Sequence, residues 1–137
     1  WSSDVCSSDL DLHAIVGDGD VCICGAEVAG EVVLRAGAVR SELPTPCVVT
    51  RDDILFLGSG QTLDECERRV LDKAHAFLSG PVGLESNDAA RLMSLAGQLG
   101  ICRAGPPRKT MKFVIPKAVF HGLGRGQMLR SMLGSGA

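Results

Sequence analysis

The sequence has no tyrosine, and its four phenylalanines and one tryptophan make up 4% of the 137 residues. Proteins that bind single-stranded nucleic acid stack its bases on aromatic rings, and this chain offers few of them. An excess of positive charge is also missing, because the formal net charge is −2 at pH 7. That charge does not attract a phosphate backbone or an anionic membrane surface. We therefore expect neither a nucleic acid nor a membrane as a partner.

The chain also lacks the segments that carry a protein into or across a membrane. It contains no run of about 18 or more apolar residues, which a membrane-spanning helix needs. It does not begin with a basic stretch followed by an apolar one, as a secretory signal does. These two absences predict a cytoplasmic protein. Its length is sufficient for one domain with a hydrophobic core.

The cysteines do not form the pattern of a zinc ribbon, because no two of them are separated by two residues. Reduced thiols are therefore predicted. Cys22 and Cys24 lie two apart, so a strand would place both on one face, either as buried thiols or as a redox or metal pair. The six cysteines are Cys6, Cys22, Cys24, Cys47, Cys66 and Cys102.

The two ends of the chain differ from its middle. The opening "WSSDVCSSDL" repeats the tripeptide SSD and contains no methionine. It resembles translated adapter sequence, so we expect residues 1–10 to be an artefact. Residues 11–120 are expected to form one domain. Residues 121–137 contain five glycines with weak periodicity, which predicts a flexible tail.

A period of three and four residues predicts a helix that begins at Thr62 and ends at Gly80-Pro81. Thr62 and Glu65 have the spacing of a capping box, in which each side chain accepts a hydrogen bond from a backbone N–H. A second helix is predicted from Ser86 to Gly97 or Gly100. The residues predicted to face the core from the first helix are Leu63, Cys66, Val70, Leu71, Ala74, Phe77 and Leu78.

Alternating or short apolar runs predict strands at residues 27–37, 47–50, 54–57 and 110–115. The two helices would then form a hairpin just before the last strand. The predicted fold class is α+β, with mostly antiparallel strands and a two-helix hairpin inserted before the last strand.

The stretch "DLHAIVGDGD", residues 11–20, contains the residues best suited to chemistry. Asp11 and His13 would project to the same side of an extended segment, where a carboxylate and an imidazole can share a metal ion. Asp18 and Asp20 would lie on a turn in which the glycines Gly17 and Gly19 permit positive φ. Such a set could bind zinc and leave one carboxylate as a base for water.

Two other interpretations of this stretch stay open. Asp-Gly pairs are common in turns, and a histidine beside an aspartate is often purely structural. Alternatively, Asp11, Asp18 and Asp20 could form a calcium or magnesium loop without hydrolysis. The remaining histidines offer less, because His75 is predicted at the edge of the first helix and His121 in the tail.

Three longer segments resemble one known family. "DLHAIVGDGDVCICGAEVAGEVVLR" is similar to the D-L-H-A and G-D-G-E-V segments of the acetamidase/formamidase family, which are followed by E-V-A-G-E-V-T. "LPTPCVVTRDD" and "LMSLAGQLGICRAGPPRKTMKFVIPK" resemble its later pattern, in which S-L-A-G-D-L-R-I-C-Q leads to K-T and a strand ending in L-P-K. The resemblance runs from Asp11 to Lys117.

This resemblance implies hydrolysis of short aliphatic amides, formamide or acetamide, to the carboxylic acid and ammonia. It also implies a divalent metal, expected to be zinc, and a homo-oligomer. Family members are longer, so the chain is expected to be the carboxy-terminal part of a larger β-rich enzyme and to need the amino-terminal half for a complete site.

Carried over by position, the resemblance makes His13 and Asp20 the catalytic residues, with Asp20 as general acid/base. His13 and Asp11 match the D-L-H segment and would be metal-site or substrate-site residues, and Asp18 would support the turn or the metal. Glu27 would contact the metal-binding residues without binding the metal itself. In this sequence Asp20 replaces the glutamate of G-D-G-E, and Gln98 replaces the aspartate of A-G-D-L. A non-catalytic fragment that only supports assembly remains the rival interpretation.

Overall fold

A computed structural model of the chain describes residues 13–15, 17–21, 26–29, 31, 33, 36–37 and 43–133, with the side chains of residues 13–15, 26–27, 130 and 133 left out of the description. The elements in chain order are β1 His13–Ile15, β2 Ala26–Glu27, β3 Cys47–Val49, β4 Asp53–Gly60, α1 Leu63–Ser79, α2 Ser86–Ala96, β5 Gln98–Arg103, β6 Lys109–Pro116, α3 Lys117–Gly122 and α4 Gly126–Leu133. None of the helices in the described part is long and apolar enough to cross a membrane.

Four strands form an antiparallel sheet in the order β3-β4-β6-β5, and β1 pairs with β2 in a separate two-stranded sheet. The α+β class and the predicted strands at 47–50, 54–57 and 110–115 are confirmed. In β6 the alternation predicted from the sequence is also observed. Met111, Phe113 and Ile115 are buried, while Lys112 and Val114 between them are only partly buried.

Helix α1 begins where the capping box predicts. The Thr62 hydroxyl accepts a hydrogen bond from the Glu65 N–H at 3.2 Å, and the Glu65 carboxylate accepts one from the Gln61 N–H at 2.8 Å. This second bond stabilises the ionised form and holds the pKa of Glu65 below its usual range. The buried residues of α1 all belong to the predicted core face: Cys66, Val70, Ala74, Phe77 and Leu78.

The core lies between α1 and the inner face of the sheet. Phe77 is at its centre, with its ring centroid 5.4 Å from that of Phe56 on β4 and 6.0 Å from that of Phe120 on α3. All three side chains are fully buried. These aromatic contacts join the sheet, α1 and α3 into one packed unit.

The second predicted helix stops at the earlier of its two predicted ends, with Gly97 as its C-cap, but a strand is missing from the prediction. Helix α2 ends at Ala96, and Gln98–Arg103 form β5, so a β5–β6 hairpin rather than a single strand follows the helices. Glycines at 97 and 100 are poor helix formers, whereas Leu99 and Ile101 pair with Phe113 and Met111 of β6. The sheet pairing therefore determines the structure of this segment.

The chain beyond Phe120 also differs from the predicted tail. Residues up to Gly122 continue α3, and Gly126–Leu133 form α4. Leu129 is only 3% exposed, and Met128 and Met132 pack against the core. The three apolar residues lie at positions 128, 129 and 132 of a short helix. The glycines on either side of this helix made the segment look like a flexible tail in the sequence. Residues 134–137 lie outside the described residues.

The strand predicted at 27–37 is only partly testable. Its first residue ends β2, whereas the described residues 28, 29, 31, 33, 36 and 37 belong to no strand. Val28, predicted on a core face, is 48% exposed. Gly30 interrupts the alternation, and a glycine inside a strand weakens it.

A packing constraint at the α2–β5 connection gives a first prediction. A Cβ at Gly97 would lie 2.1 Å from the Phe113 ring and 2.5 Å from the Met93 carbonyl oxygen. We expect Gly97→Ala to lower the free energy of unfolding by about 1–3 kcal/mol, the usual cost of overpacking. Gly122→Ala is the matched control, because nothing lies within 4 Å of a Cβ there. Urea denaturation measures both, and equal losses would contradict the prediction.

Candidate functional site

The turn formed by Asp18, Gly19 and Asp20 is attached to the β5–β6 hairpin. The Gly19 N–H donates to the Cys102 carbonyl at 3.2 Å. The Asp20 carbonyl accepts hydrogen bonds from Ala104 at 2.7 Å and from Gly105 at 3.0 Å. Three backbone hydrogen bonds thus fix this turn to the end of β5, independently of the aspartate side chains.

Gly19 supplies the backbone conformation that the turn requires. Its φ is +85°, a value that residues with a side chain rarely adopt. Gly17, for which positive φ was equally expected, is not among the described residues with positive φ. Backbone geometry therefore requires a glycine at position 19 but not at position 17.

Both aspartate side chains of the turn face a cation. Oδ2 of Asp18 lies 2.5 Å from Nζ of Lys112 on β6, and Oδ2 of Asp20 lies 3.6 Å from Nε of Arg103 at the end of β5. The Asp18 side chain is 69% exposed, whereas that of Asp20 is 22% exposed. The turn therefore presents one solvated carboxylate and one that is partly enclosed.

The contact with Asp18 changes the titration of Lys112. The hydrogen bond to the carboxylate stabilises the ammonium form and raises the pKa of Lys112, against a smaller opposite effect of burial. A raised folded-state pKa means that the ion pair contributes fully below the ordinary lysine value of about 10.4. Its contribution is lost as the pH rises through the folded-state pKa.

We therefore expect Asp18→Asn to lower stability by about 0.5 kcal/mol at neutral pH, since one partner is well exposed. The difference from wild type should shrink above about pH 10. Asp88→Asn is the control, because Asp88 pairs with Arg91 at 2.9 Å and arginine does not titrate in this range. Chemical denaturation across the pH range measures both variants. A difference for Asp18→Asn that persists at high pH would contradict the assignment.

The other predicted site residues lie at the β1–β2 pair. The backbone of His13 pairs with that of Glu27, so the register places these two predicted residues opposite each other. Their side chains and all of Asp11 lie outside the described residues. Whether His13 meets Asp20 therefore stays a prediction, as does the zinc set of His13, Asp11 and Asp18.

Among the described side chains there is no group of three or more histidines, cysteines, aspartates and glutamates that could hold a metal ion. Asp18 and Asp20 instead compensate two cationic side chains. A divalent ion at either carboxylate would have to displace or approach a positive charge, which is unfavourable at these distances. The described half of the predicted set does not by itself fit a metal.

Sequence reasoning missed Lys112 and Arg103. Alternation along β6 places Lys112 on the face away from the core, but it gives no indication of a partner 94 residues earlier in the chain. Arg103 appears in the quoted segment "GICRAG", where only the β5 pairing brings it to Asp20. Both contacts are long-range, and a local pattern does not encode them.

The described part of the chain also contains three cysteines and two further histidines with described side chains. The three described cysteines, Cys47, Cys66 and Cys102, are free, as predicted, and burial raises the pKa of Cys102 beside the turn. His75 is partly buried, and its Nε2 lies 3.2 Å from the Ser86 hydroxyl. His121 is exposed in the last turn of α3.

Solved structures contain the same fold. An acetamidase from Bacillus halodurans matches with a TM-score of 0.69 and 30% identity, covering 82% of this chain and 38% of that one. A predicted acetamidase/formamidase from the thermophile Thermoanaerobacter tengcongensis matches with a TM-score of 0.54 and 22% identity, covering 58% of this chain and 26% of that one. No family model and no curated protein matches. The chain thus spans less than half the length of either structure.

Proposed function

We propose that this chain is the carboxy-terminal part of an amidohydrolase of the acetamidase/formamidase family, which converts formamide or acetamide to the carboxylic acid and ammonia. The observation that carries the proposal is the likeness to the Bacillus halodurans acetamidase, 30% identical with 82% of this chain covered. The ordered motifs from Asp11 to Lys117 support the same family. A homo-oligomer, a cytoplasmic location and a requirement for an amino-terminal half belong to this proposal.

Asp20 is the proposed general acid/base. Hydrolysis of an amide adds water to the carbonyl carbon and delivers a proton to the departing nitrogen, so one carboxyl group can first accept and then return a proton. The partial enclosure of Asp20 and its fixed backbone would hold that group in place. Arg103, whose Nε lies 3.6 Å from the carboxylate, would help to orient it before the reaction.

Zinc belongs to the proposal only through residues that the structure leaves undescribed. The ligands would be His13 and Asp11. Asp18 could join them only by leaving Lys112, to which it is bound at 2.5 Å. When bound, a zinc ion would polarise the amide carbonyl. No step of the chemistry assigned to Asp20 depends on it.

The proposal is tested with a chimera in which this chain replaces the matching 38% of the Bacillus halodurans acetamidase. Ammonia release from formamide and acetamide is measured for the chimera and for its His13→Ala variant, each with and without added zinc. Activity that His13→Ala abolishes supports the proposal. A chimera that folds by circular dichroism but hydrolyses no short amide contradicts it.

One observation favours the rival role of a non-catalytic support. The turn that carries Asp18 and Asp20 is held to the hairpin by backbone bonds and two ion pairs, which is what a structural contact requires. The same chimera distinguishes the two roles. A folded chimera that keeps its activity after substitution of both His13 and Asp20 would assign them to support alone.

A further inference from the structure

The direction of the Arg103 side chain is set by an irregularity in β5. Ile101 pairs with Met111 and Arg103 pairs with Thr110, so β5 advances by two residues where β6 advances by one. A bulge of this kind redirects a side chain, and bulges are frequent beside active sites. Regular alternation would have placed Arg103 on the same face as Ile101, whose partner Met111 is buried. With the bulge, the guanidinium instead reaches Asp20.

The Arg103 guanidinium is held at two of its three nitrogens. Nη2 donates to the Pro106 carbonyl at 2.9 Å, and Nε lies 3.6 Å from Oδ2 of Asp20. Nε is buried and has no hydrogen bond to any described residue, so a small shift of the Asp20 carboxylate would complete one. Catalytic hydrogen bonds are often long in a ligand-free enzyme and tighten when the substrate binds. The two contacts fix the plane of the guanidinium.

The third nitrogen, Nη1, is available to a ligand. The described residues offer it no hydrogen-bond acceptor, and among their buried polar side-chain atoms only Nε of Arg103 lacks a partner. Nη1 is therefore open to solvent, on a side chain that is 38% exposed. Arginine keeps its charge at any working pH. The turn thus has a fixed, positively charged N–H donor next to a carboxylate.

We infer that Arg103 is a catalytic residue whose Nη1–H donates to the carbonyl oxygen of the amide, an inference that rests on the proposed function. An amide carries an acceptor oxygen and an NH₂ group on one carbon, so a single molecule can contact both Nη1 and the Asp20 carboxylate. When water adds to the carbonyl carbon, Asp20 takes one proton from the water. The π electron pair of the carbonyl moves to its oxygen, where a preorganised donor stabilises the negative charge.

The second half of the reaction reverses these shifts. The electron pair on the oxygen re-forms the carbonyl, and the C–N bond breaks with its electron pair on nitrogen. Asp20 returns its proton to that nitrogen, so ammonia leaves and the carboxylic acid remains. Arg103 gains and loses no proton, and its contribution is the hydrogen bond that is strongest while the oxygen is negative.

Lys112, the other cation at the turn, is less suited to this role. Its ammonium group is bound to the Asp18 carboxylate at 2.5 Å, so its charge is already compensated. A lysine ammonium is also a point charge on a flexible stem, whereas a guanidinium is planar and can be fixed at one edge while it donates from another. Arg103 meets that condition through Pro106.

The test is Arg103→Met in the chimera with the Bacillus halodurans acetamidase, in the zinc condition that gives the higher wild-type rate. We expect kcat for acetamide to fall by about 10²–10³-fold, the usual loss of one oxyanion donor. KM should stay within about threefold, because the charge develops only in the transition state. Arg91→Met is the matched control, since Arg91 is exposed and pairs with Asp88 on α2, and it should leave both constants unchanged.

Thioacetamide separates a donor to the carbonyl oxygen from a general disturbance of the site. Sulfur accepts hydrogen bonds weakly, so Arg103→Met should lower kcat for thioacetamide by less than about tenfold. A chimera that is active but keeps kcat within about threefold after Arg103→Met overturns the inference. Equal losses with acetamide and thioacetamide also overturn it. Either result leaves the proposed function in place, whereas a folded chimera that hydrolyses no short amide removes both.

Discussion

Phe77→Ala is expected to lower the free energy of unfolding by about 3–5 kcal/mol, the range observed when a buried phenylalanine is truncated. Phe77 is fully buried, and its ring packs against those of Phe56 and Phe120. The truncation therefore removes apolar burial and two aromatic contacts together. Because the three rings belong to different elements, neighbouring side chains cannot fill the cavity without moving α1, β4 or α3.

Val48→Ala provides the comparison for this loss, since it removes an apolar side chain that is already 45% exposed. Its effect should stay within about 0.5 kcal/mol. Guanidinium denaturation followed by far-ultraviolet circular dichroism measures both variants. If the loss for Phe77→Ala exceeded that for Val48→Ala by less than about 1 kcal/mol, Phe77 would not be at the centre of the core.

The elements that the sequence predicts well are those whose pattern and packing agree. Helix α1 has a capping signal at Thr62, an apolar stripe and a Gly-Pro end, and β6 alternates at every position from Met111 to Ile115. Each of these signals is local, and tertiary packing reinforces it. For that reason the core and the α+β class follow from sequence alone.

The sequence-based predictions fail where contacts between residues distant in sequence determine the secondary structure. Gln98–Arg103 form β5 because β6 offers them a partner, although the residues before them suggest a continuing helix. In the same way α4 is stabilised by burying Leu129 against a core that its own sequence does not reveal. Pairing and packing override weak local preference in both segments.

The ion pairs of the candidate site also depend on contacts between residues distant in sequence. The sequence identifies Asp18 and Asp20 as a polar turn with a possible metal, but the structure pairs them with Lys112 and Arg103. Cations supplied by β5 and β6 compensate the carboxylates of the turn. The acidic stretch alone does not reveal these two long-range ion pairs, and the metal set with His13 and Asp11 stays a prediction.

Asp20→Asn is the second change with a large expected effect. In the chimera with the Bacillus halodurans acetamidase, we expect kcat/KM for short amides to fall by about 10²–10⁴-fold, the usual contribution of a general acid/base. The turn itself should survive, because Ala104 and Gly105 bind the Asp20 carbonyl rather than its side chain. Measured ammonia release would therefore report the loss of the carboxylate.

Two companion variants separate catalysis from support. Asp20→Glu introduces the glutamate of the G-D-G-E segment of the acetamidase/formamidase family, so the chimera should keep or gain activity. If Asp20 were purely structural, the longer side chain would instead disturb the turn. Asp88→Asn removes an exposed carboxylate paired with Arg91 and should leave the rate unchanged. If Asp20→Asn kept its rate within about threefold while losing stability, the ion pair with Arg103 would be the whole role of Asp20.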